Sequence, residues 1–150
     1  MRRPVAFVTA VVLFAEAVGI VIVNGILATV ADNQSMSLAG VDPDAMVTGA
    51  WVMGAVSGAL LVLCGLIPLL AGIRDRAPGR PGRIALIACA VVHGVLGALA
   101  VGLIGWAAFV FMMVVLGLIV LTLVAFDRRE PEEVKPEAVK TGTGAAPEPA

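Results

Sequence analysis

Three long apolar blocks constrain this chain more than any other feature of its sequence. They cover residues 4–31, 46–72 and 84–126. Of the 150 residues, 60% are hydrophobic and 14% are charged, whereas a soluble domain has about 45–50% apolar and about 25% charged residues. A water-soluble fold of this size has no interior large enough for so much apolar surface. The chain is therefore predicted to span a membrane, where lipid replaces water as the solvent.

The length of each block indicates how many helices it holds. The first two are each long enough for one tilted helix, and the first is too long for a signal-peptide core of about 7–15 residues. At about 1.5 Å per residue, the third would reach about 64 Å as one helix, roughly twice the hydrocarbon thickness. It is therefore predicted to turn back at 102–106, GLIGW, where glycine permits a bend and tryptophan suits the interface. The chain is thus predicted to be an all-α transmembrane bundle of four helices, at about 4–31, 46–72, 84–104 and 106–126.

The positions of the basic residues predict how the helices are oriented. All ten Lys and Arg lie in three groups, before the first helix, between the second and third helices, and after the fourth. The loop 32–45 has no basic residue and contains three aspartates. With four helices, every basic group falls on one side, which the positive-inside rule makes cytoplasmic. Both termini are therefore predicted to be cytoplasmic.

The residues outside the apolar blocks support these boundaries. Asp42 and Pro43 are typical of a helix start, because Asp42 can cap the helix and Pro43 suits its first turn. The run 77–83, APGRPGR, is predicted to form a tight basic turn. The tail 127–150 has too little apolar surface to fold and is predicted to be disordered in the cytoplasm. The membrane domain is therefore 1–126.

Small residues at four-residue spacing predict where helices approach closely, because lipid provides no hydrophobic drive between membrane helices. Two such stripes are predicted to face other helices, within the chain or across a homodimer. The homodimer would use Gly54 and Gly58, or Gly94 and Ala98. The full stripes are Ala50, Gly54 and Gly58 on the second helix, and Ala90, Gly94, Ala98 and Gly102 on the third.

Two ionisable side chains lie at nearly the same depth in the predicted membrane. At about 1.5 Å per residue from the cytoplasmic end of each helix, Glu16 lies about 17 Å deep and His93 about 14 Å deep. A lone carboxylate at the bilayer centre costs about 2.5–3.5 kcal/mol, which it can reduce by staying protonated or by facing a partner. We therefore predict that Glu16 and His93 face each other or a shared cavity.

Two roles remain open for this pair. In one, Glu16 binds a proton or a cation and His93 relays or tunes it. In the other, the two side chains form a structural clasp between helices. The clasp is favoured, because no Arg, Lys or second carboxylate lies in the predicted helices.

The remaining polar and thiol side chains in the helices are candidates for packing or for metal binding. Asn24 and Ser57 are predicted to hydrogen-bond between helices. Cys64 and Cys89 are predicted to be buried packing residues rather than a disulfide. With Glu16 and His93 they form a metal-ligand set by residue type. Their estimated depths spread over about 9 Å, however, so neither a metal nor another cofactor is predicted.

No catalytic apparatus is visible in the sequence. It contains no Ser, His and Asp set, no phosphate-binding loop and no metalloprotease motif. We therefore expect a protein that is not an enzyme. Its expected partner is the lipid bilayer, and no nucleic-acid partner is expected.

Four segments carry a resemblance to a known group of proteins. They are LFAEAVGIVIVNG (13–25), MSLAGVDPDAM (36–46), RDRAPGR (74–80) and IALIACAVVHGVLGAL (84–99). Over most of residues 1–126, the chain resembles the small, uncharacterised four-span integral membrane proteins of high-GC actinobacteria. The resemblance implies a multi-pass protein of the bacterial plasma membrane and brings no known activity.

A second resemblance is local. The run AEAVG, 15–19, is similar to the first helix of small multidrug resistance transporters, four-helix proteins that work as dimers. In that family a membrane-embedded Glu followed by Gly binds protons and cationic drugs in turn. The resemblance implies that Glu16 is a coupling carboxylate. The chain departs from the family in having no tyrosine, whereas that family places aromatic residues around its glutamate.

Two functions follow from these observations. The main expectation is a non-enzymatic bacterial membrane protein with a structural or accessory role. The alternative is a small proton-coupled transporter that exports cationic compounds and uses Glu16.

Overall fold

Four α-helices make up nearly all of the part of the chain that the computed structural model describes, residues 2–34 and 40–127. Each helix is long and apolar enough to cross a membrane. The predicted all-α bundle of four membrane helices is therefore confirmed. The predicted disordered tail lies outside the described residues, apart from Asp127, which ends the last helix. The helices are α1 (Arg2–Gln34), α2 (Pro43–Arg74), α3 (Arg80–Leu103) and α4 (Trp106–Asp127).

The helix ends follow the chemistry of the residues found there. Asp42 caps α2, because its carboxylate accepts a hydrogen bond from the backbone N–H of Asp44 at 2.8 Å. The turn between α3 and α4 contains Gly105 at a φ of 115°, a conformation that favours glycine. Helix α3 begins at Arg80, earlier than predicted, because Pro81 in the first turn has a backbone already suited to a helix. The predicted basic turn 77–83 is therefore shorter than expected.

Small residues bring α1 and α2 into close contact. A Cβ atom added to Gly54 would lie 2.7 Å from Cβ of Asn24, and one added to Gly58 would lie 2.6 Å from a Val21 methyl group. Only glycine fits at such a separation. The predicted α2 stripe therefore faces another helix of the same chain.

The predicted small-residue stripe on α3 is only partly in contact with other helices. Gly94 faces Leu116, whereas Ala98 and Gly102 are exposed and contact no other helix of the chain closely, which leaves the predicted alternative of a contact across a homodimer. Gly97 makes the close approach instead, since a Cβ atom there would lie 2.7 Å from the end of Met113. A homodimer through Gly94 and Ala98 stays a prediction.

The helices pair as two hairpins. Helix α1 packs most extensively on α2, and α3 packs on α4, while α1 also contacts α4. One end of the bundle, which we call the basic end, contains the starts of α1 and α3 and the ends of α2 and α4. Arg83 and Asp127 join α3 to α4 there through two hydrogen bonds of 2.6 and 3.1 Å.

The core lies between the middle of the bundle and the basic end. One cluster combines residues from α1, α3 and α4, and residues of α2 pack against it. A smaller cluster joins α1, α2 and α4 near the basic end. The first cluster is Leu13, Leu86, Cys89, Val115 and Ile119, and the second is Ala6, Ala71 and Phe126.

Candidate functional site

Glu16 of α1 and His93 of α3 meet inside the bundle. Nε2 of His93 lies 2.9 Å from Oε2 of Glu16 and 3.2 Å from Oε1. The side chains are only 4% exposed for His93 and 11% exposed for Glu16. The structure therefore brings together the two residues whose depths in the membrane matched.

The bundle places this contact between its two hairpins. Helices α1 and α3 are not close neighbours, because α1 packs mainly on α2 and α3 on α4. Leu13 lies one turn before Glu16, and Cys89 lies one turn before His93; both belong to the main core cluster. The contact between Glu16 and His93 therefore joins two helices that belong to different hairpins.

The backbone carbonyl of Cys89 determines which ring nitrogen of His93 carries a proton. Nδ1 of His93 lies 2.8 Å from this oxygen. A carbonyl oxygen can only accept a hydrogen bond, so Nδ1 must carry the hydrogen. Nε2 is left to face the carboxyl group of Glu16. The Cys89 carbonyl thus orients the ring, as partners of the second ring nitrogen commonly do for histidine.

The contact between Nε2 and Glu16 holds one proton. If Nε2 lacked a hydrogen and Glu16 were ionised, two acceptors would face each other in a poorly solvated site. A protonated Glu16 can donate to Nε2, or a protonated His93 can donate to the carboxylate. Both arrangements leave the pair without net charge. Chemically, the pair can fasten α1 to α3 or pass a proton between two side chains.

The two cysteines lie beside this pair and are both free thiols. Sγ of Cys89 is 3.7 Å from Nδ1 of His93, and Cys64 packs against the core cluster that contains Cys89. Within residues 2–34 and 40–127, no group of three or more His, Cys, Asp or Glu side chains is arranged to hold a metal ion. Both cysteines therefore act as packing residues, with Cys89 in the core cluster and Cys64 against it.

Asn24 does not form the hydrogen bond between helices that its polarity predicted. Its amide donates at 2.9 Å to the backbone carbonyl of Ile20, one turn earlier on the same helix. In a helix this carbonyl is always within reach of a short polar side chain, so it competes with partners on other helices. Ser57 is half-buried on α2, and no described residue of another helix hydrogen-bonds to it. The predicted interhelical bonds of Asn24 and Ser57 are therefore wrong for the part of the chain that is described.

A pair of threonines that was not predicted from the sequence joins two helices. The hydroxyl groups of Thr9 on α1 and Thr122 on α4 lie 2.8 Å apart, and both residues are buried. Oγ1 of Thr9 also lies 3.2 Å from the backbone oxygen of Leu118. By residue count the two threonines lie within roughly 2 Å of the same depth. The matched depth that predicted the Glu16–His93 contact would have predicted this one.

The four apolar helices and the polar contacts buried between them define a multi-pass membrane protein. Comparisons with protein-family models, with curated proteins and with solved structures gave no match to this chain. The geometry and chemistry of the chain itself must therefore support any proposed function.

Proposed function

We propose that this chain is a non-enzymatic structural or accessory protein of the bacterial plasma membrane, in which the Glu16–His93 pair fastens the two helical hairpins together. The observation that carries the proposal is that both ring nitrogens of His93 have a partner while both side chains are almost completely buried. A contact of this kind stabilises a helix arrangement. The bacterial plasma membrane is proposed from the sequence resemblance to actinobacterial four-span proteins.

The surroundings of the pair favour a structural role. A cavity at the basic end is lined by residues of the α2–α3 turn and of the helix ends, and a groove beside Trp51 is lined by α1 and α2. Neither Glu16 nor His93 lines either of them. The carboxyl group of Glu16 faces the imidazole ring of His93 at 2.9 Å, and only 11% of its side chain is exposed, which supports a structural contact.

The energetics of the pair suit a clasp. Hydrogen bonds between membrane helices contribute about 0.6 kcal/mol on average and about 1.7 kcal/mol at most. Removing one partner has a larger effect, because an unsatisfied buried polar group costs about 1–3 kcal/mol. The pair is therefore a modest source of stability when intact and a substantial penalty when half of it is lost.

The test compares Glu16→Gln with Glu16→Ala and His93→Ala. A glutamine amide can still donate to Nε2 of His93, so Glu16→Gln should retain most of the thermal stability of the purified protein in detergent. Each alanine variant should be destabilised by about 1–3 kcal/mol, because it leaves a buried polar partner unsatisfied. Equal melting temperatures for wild type and all three variants would rule out the clasp.

The second candidate is a proton-coupled exporter of cationic compounds. One observation favours it: the carboxyl group of Glu16 lies 2.9 Å from a titratable imidazole, and its side chain retains some exposure. In that case Glu16→Gln should abolish export of a cationic dye from cells that overproduce the protein, although the variant still folds. The matched control is Thr122→Val, which alters another buried polar contact and should leave export intact. If neither overproduction nor deletion changes dye export, the exporter is excluded.

A further inference from the structure

A cavity of about 520 Å³ opens at the basic end of the bundle. It lies between the start of α1, the turn that joins α2 to α3, and the end of α4. This volume is in the range typical of small-molecule sites, about 300–1,000 Å³. The charged side chains that line it are Arg2, Asp75, Arg76, Arg80, Arg83 and Asp127.

The cavity carries an excess of positive charge. Asp127 is already paired with Arg83 by two short hydrogen bonds, so these two charges largely neutralise each other. Asp75 has a long contact of 3.9 Å with Arg3, which does not line the cavity. The three other lining arginines form no ion pair with any described residue. They are Arg2, Arg76 and Arg80.

Guanidinium groups of this kind recognise phosphate in particular. Their planar arrangement of N–H donors matches two phosphate oxygens at once, and arginine loses less solvation than lysine when it binds. The first residues of α3 add to this preference, because Gly79 and Arg80 line the cavity where that helix begins. The chemistry of the cavity is therefore that of a phosphate site.

The cavity also has an apolar wall. This wall favours a lipid over a free phosphate ion as the bound molecule. Leu123 and Phe126 of α4 line it together with the arginines. The cavity lies at one end of the bundle, where membrane-spanning helices begin or end, so the headgroups of a surrounding bilayer would be beside it. A free phosphate ion would make no favourable contact with the apolar wall, whereas the glycerol and upper acyl carbons of a lipid would pack against it.

We propose that this cavity binds the phosphate headgroup of an anionic membrane lipid, with Arg76 and Arg80 as its principal ligands. Basic pockets between membrane helices commonly hold such headgroups. The positive-inside rule makes the leaflet at the basic end the cytoplasmic one. The site lies apart from Glu16 and His93 and does not depend on the role of that pair.

The experiment measures lipid retention by the full-length protein in native mass spectrometry, after incubation with phosphatidylglycerol or with phosphatidylcholine. The wild type should retain phosphatidylglycerol in preference to phosphatidylcholine. The double variant Arg76→Gln/Arg80→Gln should lose this preference by at least about tenfold, since each arginine near an anionic surface contributes roughly fivefold. The matched control is Arg3→Gln/Arg74→Gln, which removes the same charge from the same end of the bundle but from residues outside the cavity. It should keep the preference.

Three results would overturn the proposal. Equal losses in the two double variants would show a diffuse basic surface rather than a site. Equal retention of the two lipids by the wild type would show that headgroup charge is not recognised. Displacement of phosphatidylglycerol by an equimolar amount of inorganic phosphate would show that the occupant is the free ion. Melting temperatures of both double variants, measured alongside, separate loss of the site from loss of the fold.

Discussion

The hydrogen bond from His93 to the backbone carbonyl of Cys89 has a consequence for the whole Glu16–His93 pair. Because Nδ1 must carry a hydrogen, the only proton that can move lies between Nε2 and the carboxyl group. The ring therefore cannot switch between its two neutral tautomers without breaking its bond to the helix backbone. A single proton in this contact can therefore lie on either side, on Nε2 or on the carboxyl group.

The first prediction is that Nδ1 of His93 is protonated at every pH at which the protein stays folded. The reason is its hydrogen bond to a carbonyl oxygen, which cannot donate. Solid-state NMR of protein labelled with nitrogen-15 at histidine measures this directly, because the chain contains a single histidine. A resonance from a bare Nδ1 next to a protonated Nε2 would contradict the assignment.

The second prediction concerns the Thr9–Thr122 contact. Thr122→Val keeps the shape of the side chain but removes the hydroxyl group that lies 2.8 Å from Oγ1 of Thr9. We expect a loss of about 0.6 to 1.7 kcal/mol in the free energy of unfolding, which lies between the average and the largest values measured for hydrogen bonds between membrane helices. Thr29→Val is the control, because Thr29 is exposed and bonds only within its own helix, to Gly25. Equal effects of the two substitutions, measured by unfolding in detergent, would show that the contact does not join α1 to α4 energetically.

At the scale of the helices, small-residue spacing predicted one contact correctly and the other only in part. On α2, Gly54 and Gly58 contact α1 as their spacing indicated. On α3, the buried face contains His93 and Gly97 rather than Ala98. Helix α3 is rotated about its axis so that His93 is buried. Gly97, four residues further on, lies on the same face and therefore also points into the bundle. The position of a buried polar residue is therefore a better guide to the inward face than small residues alone.

The third prediction tests the close approach of α1 and α2. In Gly54→Ala the new methyl group would lie 2.7 Å from Cβ of Asn24, an atom that cannot move unless the backbone of α1 moves. We expect the free energy of unfolding to fall by about 1–3 kcal/mol, as is usual for overpacking. Gly117→Ala is the matched control, because nothing lies within 4 Å of a Cβ atom at that position. The control should be neutral or stabilising, since alanine favours a helix more than glycine does.

Thermal unfolding of the two purified variants in the same detergent provides the measurement. Tryptophan fluorescence can report it, because Trp51 packs against Gly25 at the contact between α1 and α2. If Gly54→Ala melts at the temperature of Gly117→Ala or above it, the two helices are not held as closely as described.

At the scale of the whole molecule, the bilayer made the fold predictable. Its thickness determined that the block 84–126 must turn back, and the turn is found at Gly105, inside the predicted range. The bilayer does not determine which helices become neighbours. That depends on side-chain packing, so the pairing of α1 with α2 and of α3 with α4 was not predicted. The lengths of α1 and α2 were also underestimated, because each helix continues into polar residues beyond its apolar block.

The Glu16–His93 contact could also be predicted in part, because the membrane constrains buried polar groups as it constrains helix lengths. Polar groups inside the membrane are costly unless they have a partner, so Glu16 and His93 were each expected to have one. Their similar predicted depths indicated that each is the partner of the other. The proton arrangement was not predictable, because it depends on the distance from Nδ1 to a backbone oxygen. The cavity at the basic end could not be predicted from the sequence either. Its arginines are separated along the chain and come together only when α1, α4 and the α2–α3 turn are placed.

The fourth prediction is that both chain ends lie in the cytoplasm, on the side of the arginines. Green fluorescent protein fused after Ala150 should fluoresce in bacterial cells. Alkaline phosphatase needs disulfides, which form outside the cytoplasm, so it should be active when fused after Gly40 and inactive when fused after Ala77. The reason is that four spans place every basic group on one side, which the positive-inside rule makes cytoplasmic. An active phosphatase after Ala77 would reverse the orientation and would move the lipid site to the outer leaflet.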